Sequence, residues 1–411
     1  MGIQREKLYK FPWSKTDNPG GWVEVTDECD LFCPGCYRHR IEGHRPLEEV
    51  KADIISCRKL TNCDRIGIAG GEPLIYPHIV EVVDFISQHN MKPLLLTNGE
   101  KLTFELAREL KKAGLVKFHF HVDSGQERPG WTGKNEAEIN KLRQHFADLV
   151  WELKGVQCGY NITVFPSSLK YLPDIVRWSQ TNIHKVHHIS LVAFRAIPIT
   201  DEIEYMVNEK KIDPRRFQHA TANLEEINIS TDKMFEILEN HFSDYSPCAY
   251  LSGIVSPETY KFLVTINIGS QKRMYGFLGQ KTVELIQIFY HLFKGRYFDF
   301  LKKPKAGKKL FLLSVFDRQV KQAFINFLRA SVRNPIRFFD RIYIQSISLQ
   351  QPNELFEGEA NLCDGCMNMM MYQGELIPSC RLDEYRIFGG PVTAVIRKSK
   401  SRTINEKGLK P

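Results

Sequence analysis

The sequence has too few cysteines for a disulfide scaffold, with 10 in 411 residues, so their spacing matters more than their number. It has no uninterrupted apolar run near the ~18 residues that a membrane-spanning helix needs. Charged residues also interrupt the N-terminal stretch where a secretion signal requires an apolar segment. These absences predict a cytoplasmic protein whose cysteines are thiols or metal ligands.

The sequence also lacks the compositional bias of disordered or collagen-like chains, since 43% of its residues are hydrophobic and 25% are charged. It shows no internal repeat of solenoid or propeller period. A chain of this length is expected to fold into two or three domains.

Between residues 22 and 194, short runs rich in Val, Ile and aromatic residues alternate with amphipathic stretches. This alternation predicts parallel β-α-β units, so the expected fold class is α/β with a partial (β/α)6 barrel of the TIM type. In such a barrel the chemistry gathers at the carboxyl ends of the strands. The predicted strands are residues 21–26, 64–70, 92–98, 116–122, 156–164 and 186–194. The predicted helices are residues 48–60, 76–89, 103–114, 134–154 and 168–180.

The loop after the first predicted strand holds Cys29, Cys33 and Cys36, with the spacing C-x3-C-x2-C. Three thiolates on one loop can each hold one iron of a [4Fe-4S] cluster and leave the fourth iron open to a small molecule. One alternative is a structural zinc site with His39 or His44 as the fourth ligand. Another is a redox pair formed by Cys33 and Cys36.

The second predicted strand runs directly into Gly70, Gly71, Glu72 and Pro73. Two glycines at a strand end let the backbone approach another group closely, and Glu72 can accept a hydrogen bond from an ammonium group. This turn alone is compatible with an ordinary β-turn. Placed one βα unit after the three-cysteine loop, it resembles the radical S-adenosylmethionine (radical SAM) superfamily, over about residues 20–195.

The resemblance implies that Cys29, Cys33 and Cys36 hold a [4Fe-4S] cluster whose open iron is chelated by S-adenosylmethionine. It implies that the glycine–glutamate turn fixes the amino end of this cofactor. It implies reductive cleavage to a 5′-deoxyadenosyl radical, which abstracts hydrogen from a substrate, an oxygen-sensitive protein, and a small electron donor protein of the flavodoxin or ferredoxin type. Other implied cofactor contacts are Asn98, Asp123 or Ser124, and Asn161. The family often has an aromatic residue just before the third cysteine, where this chain has Gly35, and Tyr37 after Cys36 is the candidate to replace it.

A second cysteine trio, Cys363, Cys366 and Cys380, has the spacing C-x2-C-x13-C. It predicts a second, auxiliary [4Fe-4S] cluster, with a zinc ribbon as the alternative. The spacing resembles the C-terminal cluster of GTP 3′,8-cyclases and, more loosely, SPASM and twitch domains. The fourth ligand is expected from Cys248, another distant cysteine or a substrate atom. The cyclases end in Gly-Gly, whereas this chain ends in Gly-Leu-Lys-Pro, so the cyclase is the less favoured interpretation.

Residues 272–343 carry 16 Lys and Arg against 4 Asp and Glu, and 15 of the 46 aromatic residues. Since the whole chain is +8, the other residues together sum to −4, so the excess positive charge is local. Basic and aromatic residues on amphipathic helices suit a membrane interface. The competing interpretations are nucleic-acid binding, which we consider unlikely, and a solvated basic surface over an ordinary core.

These observations predict a radical SAM enzyme acting on a lipid or another apolar molecule, with peripheral membrane contact through residues 272–345. The alternative substrate is a peptide, a nucleotide or a small metabolite, as in the GTP cyclases. A zinc-binding interaction protein without catalysis is the non-enzymatic alternative. The predicted division is an extension (1–20), the radical SAM core (21–197), a mixed and mostly helical connection (198–271), the basic aromatic segment (272–345), the auxiliary cluster region (346–396) and a polar tail (397–411).

Overall fold

The computed structural model describes residues 2–31, 33, 34, 36, 38, 43–227, 229–242, 244–299 and 307–397. After strand β1 (Tyr9–Lys10), β-strands and α-helices alternate, as the sequence predicts. The strands are β2 (Gly20–Thr26), β3 (Arg65–Gly70), β4 (Lys92–Thr97), β5 (Lys117–His121), β6 (Gln157–Val164) and β7 (Val186–Ala193). The helices between them are α1 (Leu47–Thr61), α2 (Ile79–Gln88), α3 (Phe104–Lys112), α4 (Glu136–Leu153) and α5 (Leu172–Thr181).

Strands β2 to β7 lie side by side in chain order, and every neighbouring pair is parallel. Their outer faces bury Val, Ile, Leu and Phe side chains against the helices in one continuous core. Cys57, Cys63 and Cys158 lie in this core and are at most 1% exposed. The predicted partial (β/α)6 barrel is therefore confirmed, and its strands end on the side that carries the first cysteine loop.

The connection after the barrel is less helical than its composition predicts. Residues 203–212 form a hairpin rather than a helix, because Ile203, Tyr205 and Val207 alternate with more polar positions and bury one face. The elements of this region are β8 (Ile197–Pro198), β9 (Ile203–Val207), β10 (Lys210–Ile212), β11 (Ala220–Thr221) and α6 (Thr231–His241).

The barrel sheet is extended on the side of β7 by strands of the C-terminal half. Strand β12 (Ala249–Ser252) pairs with β13 (Tyr260–Ser270), which also pairs with β14 (Arg273–Phe277). Helices α7 (Gln280–Lys294) and α8 (Arg318–Arg333) then pack on a second core beneath these strands. Strand β15 (Tyr343–Gln350) lies between β13 and β7 and completes this extension.

The last part of the chain extends the sheet on the side of β2. Strands β18 (Met369–Tyr372) and β19 (Glu375–Pro378) form a hairpin, and β18 pairs in parallel with β2. An isolated bridge between Gly253 and Cys363 connects the two extended edges, so the C-terminal segment covers the open side of the barrel. The elements are β16 (Glu354–Leu355), β17 (Ala360–Asn361), β18 (Met369–Tyr372), β19 (Glu375–Pro378), α9 (Leu382–Phe388) and β20 (Thr393–Ile396).

Candidate functional site

The glycine–glutamate turn packs backbone to backbone against the stem of the first cysteine loop. The amide of Gly71 donates to the carbonyl of Thr26, and the amide of Glu72 donates to the carbonyl of Glu28, both at 2.8 Å. A methyl group on Gly71 would lie 2.0 Å from the carbonyl oxygen of Glu28. Gly70 has a φ of +141° and equally little room beside Thr26. The glycines therefore make room for this stem, and the turn and the loop form one unit.

Cys29, Cys33 and Cys36 of the first loop line one cavity, which the glycine–glutamate turn also borders. This cavity has a volume of about 370 Å³. Burial, together with the neighbouring thiols of Cys36 and Cys29, raises the pKa of the Cys33 thiol to about 12. Iron binding would therefore release protons from these thiols. Among the described residues, no three His, Cys, Asp or Glu side chains form a site for a single metal ion.

The side chain of Glu72 connects the ends of two neighbouring strands. Its carboxylate accepts hydrogen bonds from the amide of Leu74, the hydroxyl of Thr97 and the amide of Asn98. Burial raises the pKa of Glu72 to about 7, although these hydrogen bonds oppose the shift. Glu72 borders the cavity, but its position is fixed by the strand ends of β3 and β4.

The other predicted cofactor contacts divide into two groups. Asn98, Asp123 and Asn161 border the cavity with the cysteines, whereas Ser124 and Pro73 are not among the lining residues. The amide of Ser124 instead donates to Glu136 at 2.7 Å, and Pro73 starts a short 3-10 helix. Tyr37, Gly35 and His39 lie outside the described residues.

Asp123 is also fixed by protein groups. One of its carboxylate oxygens accepts from the amide of Gly125, and the other accepts from the amide of Thr163 and lies 2.8 Å from His121 Nε2. Burial works against ionisation, but His121 and these hydrogen bonds hold the pKa of Asp123 below its ordinary value. Asp123 therefore orients the end of β5 and supplies negative charge at the cavity wall.

The second cysteine trio borders the same cavity from its open side. The β18–β19 hairpin returns Cys380 towards Cys363 and Cys366. Burial raises the pKa of Cys363 to about 12, with the Cys380 thiol adding to the shift. The guanidinium of Arg195 donates to the carbonyl of Cys380 and pairs with Glu384 at 2.8 Å.

Cys248 lies apart from this trio. It is fully buried in the core beneath β12 and β13, and its thiol donates to the carbonyl of Val264 at 3.3 Å. It does not belong to the residues that line the cavity. The suggestion that Cys248 supplies the fourth ligand therefore has no support in the geometry.

The barrel interior contains cationic and imidazole side chains that the sequence motifs did not indicate. Lys117, His119 and His121 alternate with Phe118 and Phe120 along β5, so the polar residues face the cavity and the aromatic residues face the helices. This K-F-H-F-H alternation was the available signal.

Two histidines of this interior, His119 and His188, lie in surroundings that favour the neutral imidazole. The His119 and His188 rings lie 5.3 Å apart, and burial, with Lys117 nearby, holds the pKa of both well below its ordinary value. His188 is fixed by Ser346 at 2.6 Å and Ser190 at 2.8 Å. The Nε2 atom of His119 is buried without a partner among the described residues.

Lys117 occupies space that a glycine leaves free. A methyl group on Gly159 of β6 would lie 2.7 Å from Cε of Lys117. Burial lowers the pKa of Lys117 to about 7, although the carboxylate of Asp299 opposes the shift. Asp299 in turn pairs with Arg65 at 2.7 Å.

Comparison with known families agrees with this geometry. Residues 23–178 match the family model described as the Radical SAM superfamily. This part of the chain is a radical SAM domain. The matched residues include the cysteine loop and the glycine–glutamate turn that predicted the family from the sequence. The prediction of the family is confirmed for these residues.

Curated relatives of the radical SAM domain are named as GTP 3′,8-cyclases. A probable GTP 3′,8-cyclase of Methanocaldococcus jannaschii is 24% identical over 204 residues, which cover 46% of this chain and 63% of that protein. One of Pyrococcus abyssi is 33% identical over 105 residues, covering 25% of this chain and 34% of that protein. The matched stretch thus spans less than two thirds of either relative.

Among solved structures, SuiB of Streptococcus suis bound to S-adenosylmethionine aligns with a TM-score of 0.39 and 14% identity. The alignment covers 55% of this chain and 47% of that one. In the described part of the chain, no helix is long and apolar enough to cross a bilayer.

Proposed function

We propose that this protein is a radical SAM enzyme that acts on a small polar substrate between its two cysteine trios. The observation that carries the proposal is the union of the cysteine loop with the glycine–glutamate turn at the end of a cavity that contains charged and imidazole side chains. A radical enzyme must hold its cofactor rigidly and keep water from the reacting centre. A loop and a turn joined by backbone hydrogen bonds suit the first need, and a cavity inside a barrel suits the second.

Cys29, Cys33 and Cys36 would hold a [4Fe-4S] cluster, and the turn from Gly70 to Glu72 would lie against the amino end of S-adenosylmethionine. When bound and reduced, this pair supplies a 5′-deoxyadenosyl radical that abstracts hydrogen from the substrate. Asn98, Asp123 and Asn161 would hold the cofactor from the neighbouring strand ends. A small flavodoxin-type or ferredoxin-type protein would deliver the electron.

The lining of the barrel favours a polar substrate over the lipid that the sequence first indicates. Lys117, His119, His121 and His188 face the cavity where an acyl chain would require apolar side chains. The names of the curated relatives point in the same direction, because GTP is a polar, anionic molecule. A nucleotide is therefore the first substrate to test.

Lys117 and Arg65 would attract an anionic group of such a substrate, and the carboxylate of Asp299 would balance them when the site is empty. The neutral imidazoles of His119 and His188 would donate or accept hydrogen bonds without adding charge. In this arrangement the barrel orients the substrate, and the second trio approaches it from the opposite side.

Cys363, Cys366 and Cys380 would hold an auxiliary [4Fe-4S] cluster. Replacing Cys366 by alanine should lower the iron content of anaerobically reconstituted protein from about eight to about four atoms, because two thiolates do not retain a cubane. Replacing Cys248 is the matched control, since its thiol is in the core, and Cys248→Ala should leave the iron unchanged. Equal iron in both variants would contradict a second cluster.

The buried amine of Lys117 gives the protein a characteristic dependence on pH. Its pKa is about 7 in the folded protein, against an ordinary value of 10.5, so the unfolded chain binds one more proton between these values. The free energy of unfolding should therefore rise with pH across this window, by at most about 1.4 kcal/mol per pH unit from this group.

The measurement compares the free energy of urea unfolding of the wild type and Lys117→Met between about pH 7 and pH 9. The free energy of unfolding of the variant minus that of the wild type should become less positive, or more negative, as pH rises, because only the wild type gains stability from Lys117. The remaining ionisable groups are the same in both proteins, so the comparison isolates the effect of Lys117 and its immediate neighbours. A difference that is independent of pH would show that the folded protein keeps this amine charged.

The proposed function is tested by anaerobic reconstitution followed by reductant and S-adenosylmethionine. We expect iron and sulfide in the protein and release of 5′-deoxyadenosine. Addition of GTP should raise this release and consume GTP if a nucleotide is the substrate, and a panel of nucleotides and peptides extends the search. Zinc without iron in anaerobically prepared protein would instead support the non-enzymatic alternative.

A further inference from the structure

The most exposed apolar side chains of the described chain lie on four helical elements of the basic aromatic segment. These elements are α7, α8 and two 3-10 helices, Lys308–Val315 and Pro335–Phe339. Eight of their large apolar residues are 67% to 83% exposed, whereas elsewhere the most exposed such residue is Ile254 at 54%. We call these eight residues the apolar face: Leu292, Phe293, Leu312, Val315, Phe316, Val332, Ile336 and Phe339.

The orientation of α7 is fixed from its opposite side. The hydroxyl of Tyr290 donates to Asp64 at the start of β3 at 3.0 Å, and His291 lies 2.9 Å from Asp17. Val283 and Gln287 are fully buried. The barrel therefore holds α7 in a position that leaves Leu292 and Phe293 facing outward.

The other three elements are held together by a shared core. Phe311 lies 5.1 Å from Phe324 and 5.3 Å from Phe327, so the first 3-10 helix is packed on α8. The ammonium of Lys308 lies 4.4 Å from the ring of Phe338 and connects the two 3-10 helices. The outward apolar residues of these elements are thus part of a rigid surface.

The charges around the apolar face have one sign. Eleven Lys and Arg in the described part of residues 272–343 are exposed, and none of the Asp or Glu there is. Asp317 caps α8, Asp340 accepts a hydrogen bond from Tyr275, and Asp299 pairs with Arg65 inside the barrel. Glu284, which is partly exposed, pairs with Lys281 at 2.9 Å. Lys308, Lys309, Arg329 and Arg333 stand directly beside apolar-face residues in the sequence or on the same helix.

We propose that the apolar face and its cations dock this protein onto the surface of an anionic lipid bilayer. Apolar side chains would enter the acyl boundary while Lys and Arg contact phosphate headgroups. Five of the eight face residues are aliphatic, and aliphatic side chains gain little from stacking on nucleic-acid bases. A second copy of the chain would bring like charges together across a two-fold interface. The lipid surface is the occupant that suits both features, whatever substrate the cavity binds.

The test is flotation of the full reconstituted protein with phosphatidylcholine vesicles that contain or lack phosphatidylglycerol. We expect binding to the vesicles with phosphatidylglycerol, and weaker binding in their absence or at high salt. The double variant Leu292→Ser/Phe293→Ser should reduce partitioning by about tenfold or more, and so should Arg329→Glu/Arg333→Glu. Ile254→Ser/Ile396→Ser, which changes exposed apolar residues outside the segment, should bind like the wild type.

Several results would overturn the proposal. One is the absence of binding to anionic vesicles, and another is equal loss in the Ile254→Ser/Ile396→Ser control. Tight binding to single-stranded RNA without vesicle binding would assign the surface to nucleic acid. A dimer in light scattering that dissociates on Leu292→Ser/Phe293→Ser would assign it to a second copy. None of these readouts depends on release of 5′-deoxyadenosine, so the docking proposal can fail while the proposed function stands.

Discussion

Replacing Cys33 by alanine should abolish the release of 5′-deoxyadenosine, to below the detection limit of a chromatographic assay. Two thiolates remain on the loop in this variant, and they cannot hold three corners of a cubane. The iron content should fall from about eight to about four atoms, because the second trio is intact. The residual iron distinguishes this result from simple unfolding.

Cys158→Ala is the matched control for this change. Cys158 is fully buried in the barrel core and lies outside the cavity, so its loss should cost about 1 kcal/mol of stability and no iron. If Cys33→Ala still released 5′-deoxyadenosine at the wild-type rate, the first loop would not be the site of cleavage.

Replacing Gly71 by alanine should have nearly as large an effect without removing any ligand. The added methyl group would lie 2.0 Å from the carbonyl oxygen of Glu28, one residue before Cys29, and this backbone oxygen cannot rotate away as a flexible side chain could. The turn and the loop must therefore separate, which breaks the hydrogen bonds of Gly71 and Glu72. We expect at least a hundredfold loss of S-adenosylmethionine cleavage, corresponding to about 3 kcal/mol.

Gly155→Ala separates this local effect from general destabilisation. Gly155 has a φ of +93° with no atom within 4 Å of the added methyl group, so the change strains only its own backbone. It should cost about 1 kcal/mol of stability and leave cleavage unchanged. Equal activity losses in the two variants would mean that the close packing at Gly71 has no special role.

The barrel and its first site could be predicted from the sequence because both depend on local patterns. Alternating apolar runs and amphipathic stretches set the order of strands and helices, and the cysteine loop and the Gly-Gly-Glu turn follow successive strands. The spacing could not show what Gly71 packs against. Gly71 packs against the stem of the loop, because the parallel neighbours β2 and β3 end side by side.

Other features depend on contacts between residues far apart in the sequence. The sequence allows Cys248 as the fourth ligand of the auxiliary cluster, but the fold places it in the core of β12 and β13. Ser124 and Pro73 follow the ends of β5 and β3, where the resemblance implies cofactor contacts. The amide of Ser124 instead donates to Glu136, and Pro73 starts a short 3-10 helix. The polar barrel interior needs Lys117 of β5, the vacant side of Gly159 in β6 and His188 of β7 together, and no single motif contains all three.

The basic aromatic segment shows the same division. Its composition predicted an interfacial surface and, from it, a lipid substrate. The structure separates the two ideas, because the apolar face points outward while Lys117 and the imidazoles of β5 and β7 face the cavity. A protein can dock on a membrane and still act on a small polar molecule.

The central claim is that the first cysteine trio holds a cluster with one open iron beside the glycine–glutamate turn. Electron paramagnetic resonance of the reduced Cys363→Ala/Cys366→Ala/Cys380→Ala variant tests it most directly, because only the first cluster can then contribute. Adding S-adenosylmethionine should change the spectrum of that cluster, and the change should be absent in the same variant carrying Gly71→Ala. A cluster signal that S-adenosylmethionine leaves unaltered, or a protein with zinc and no signal, would contradict the account.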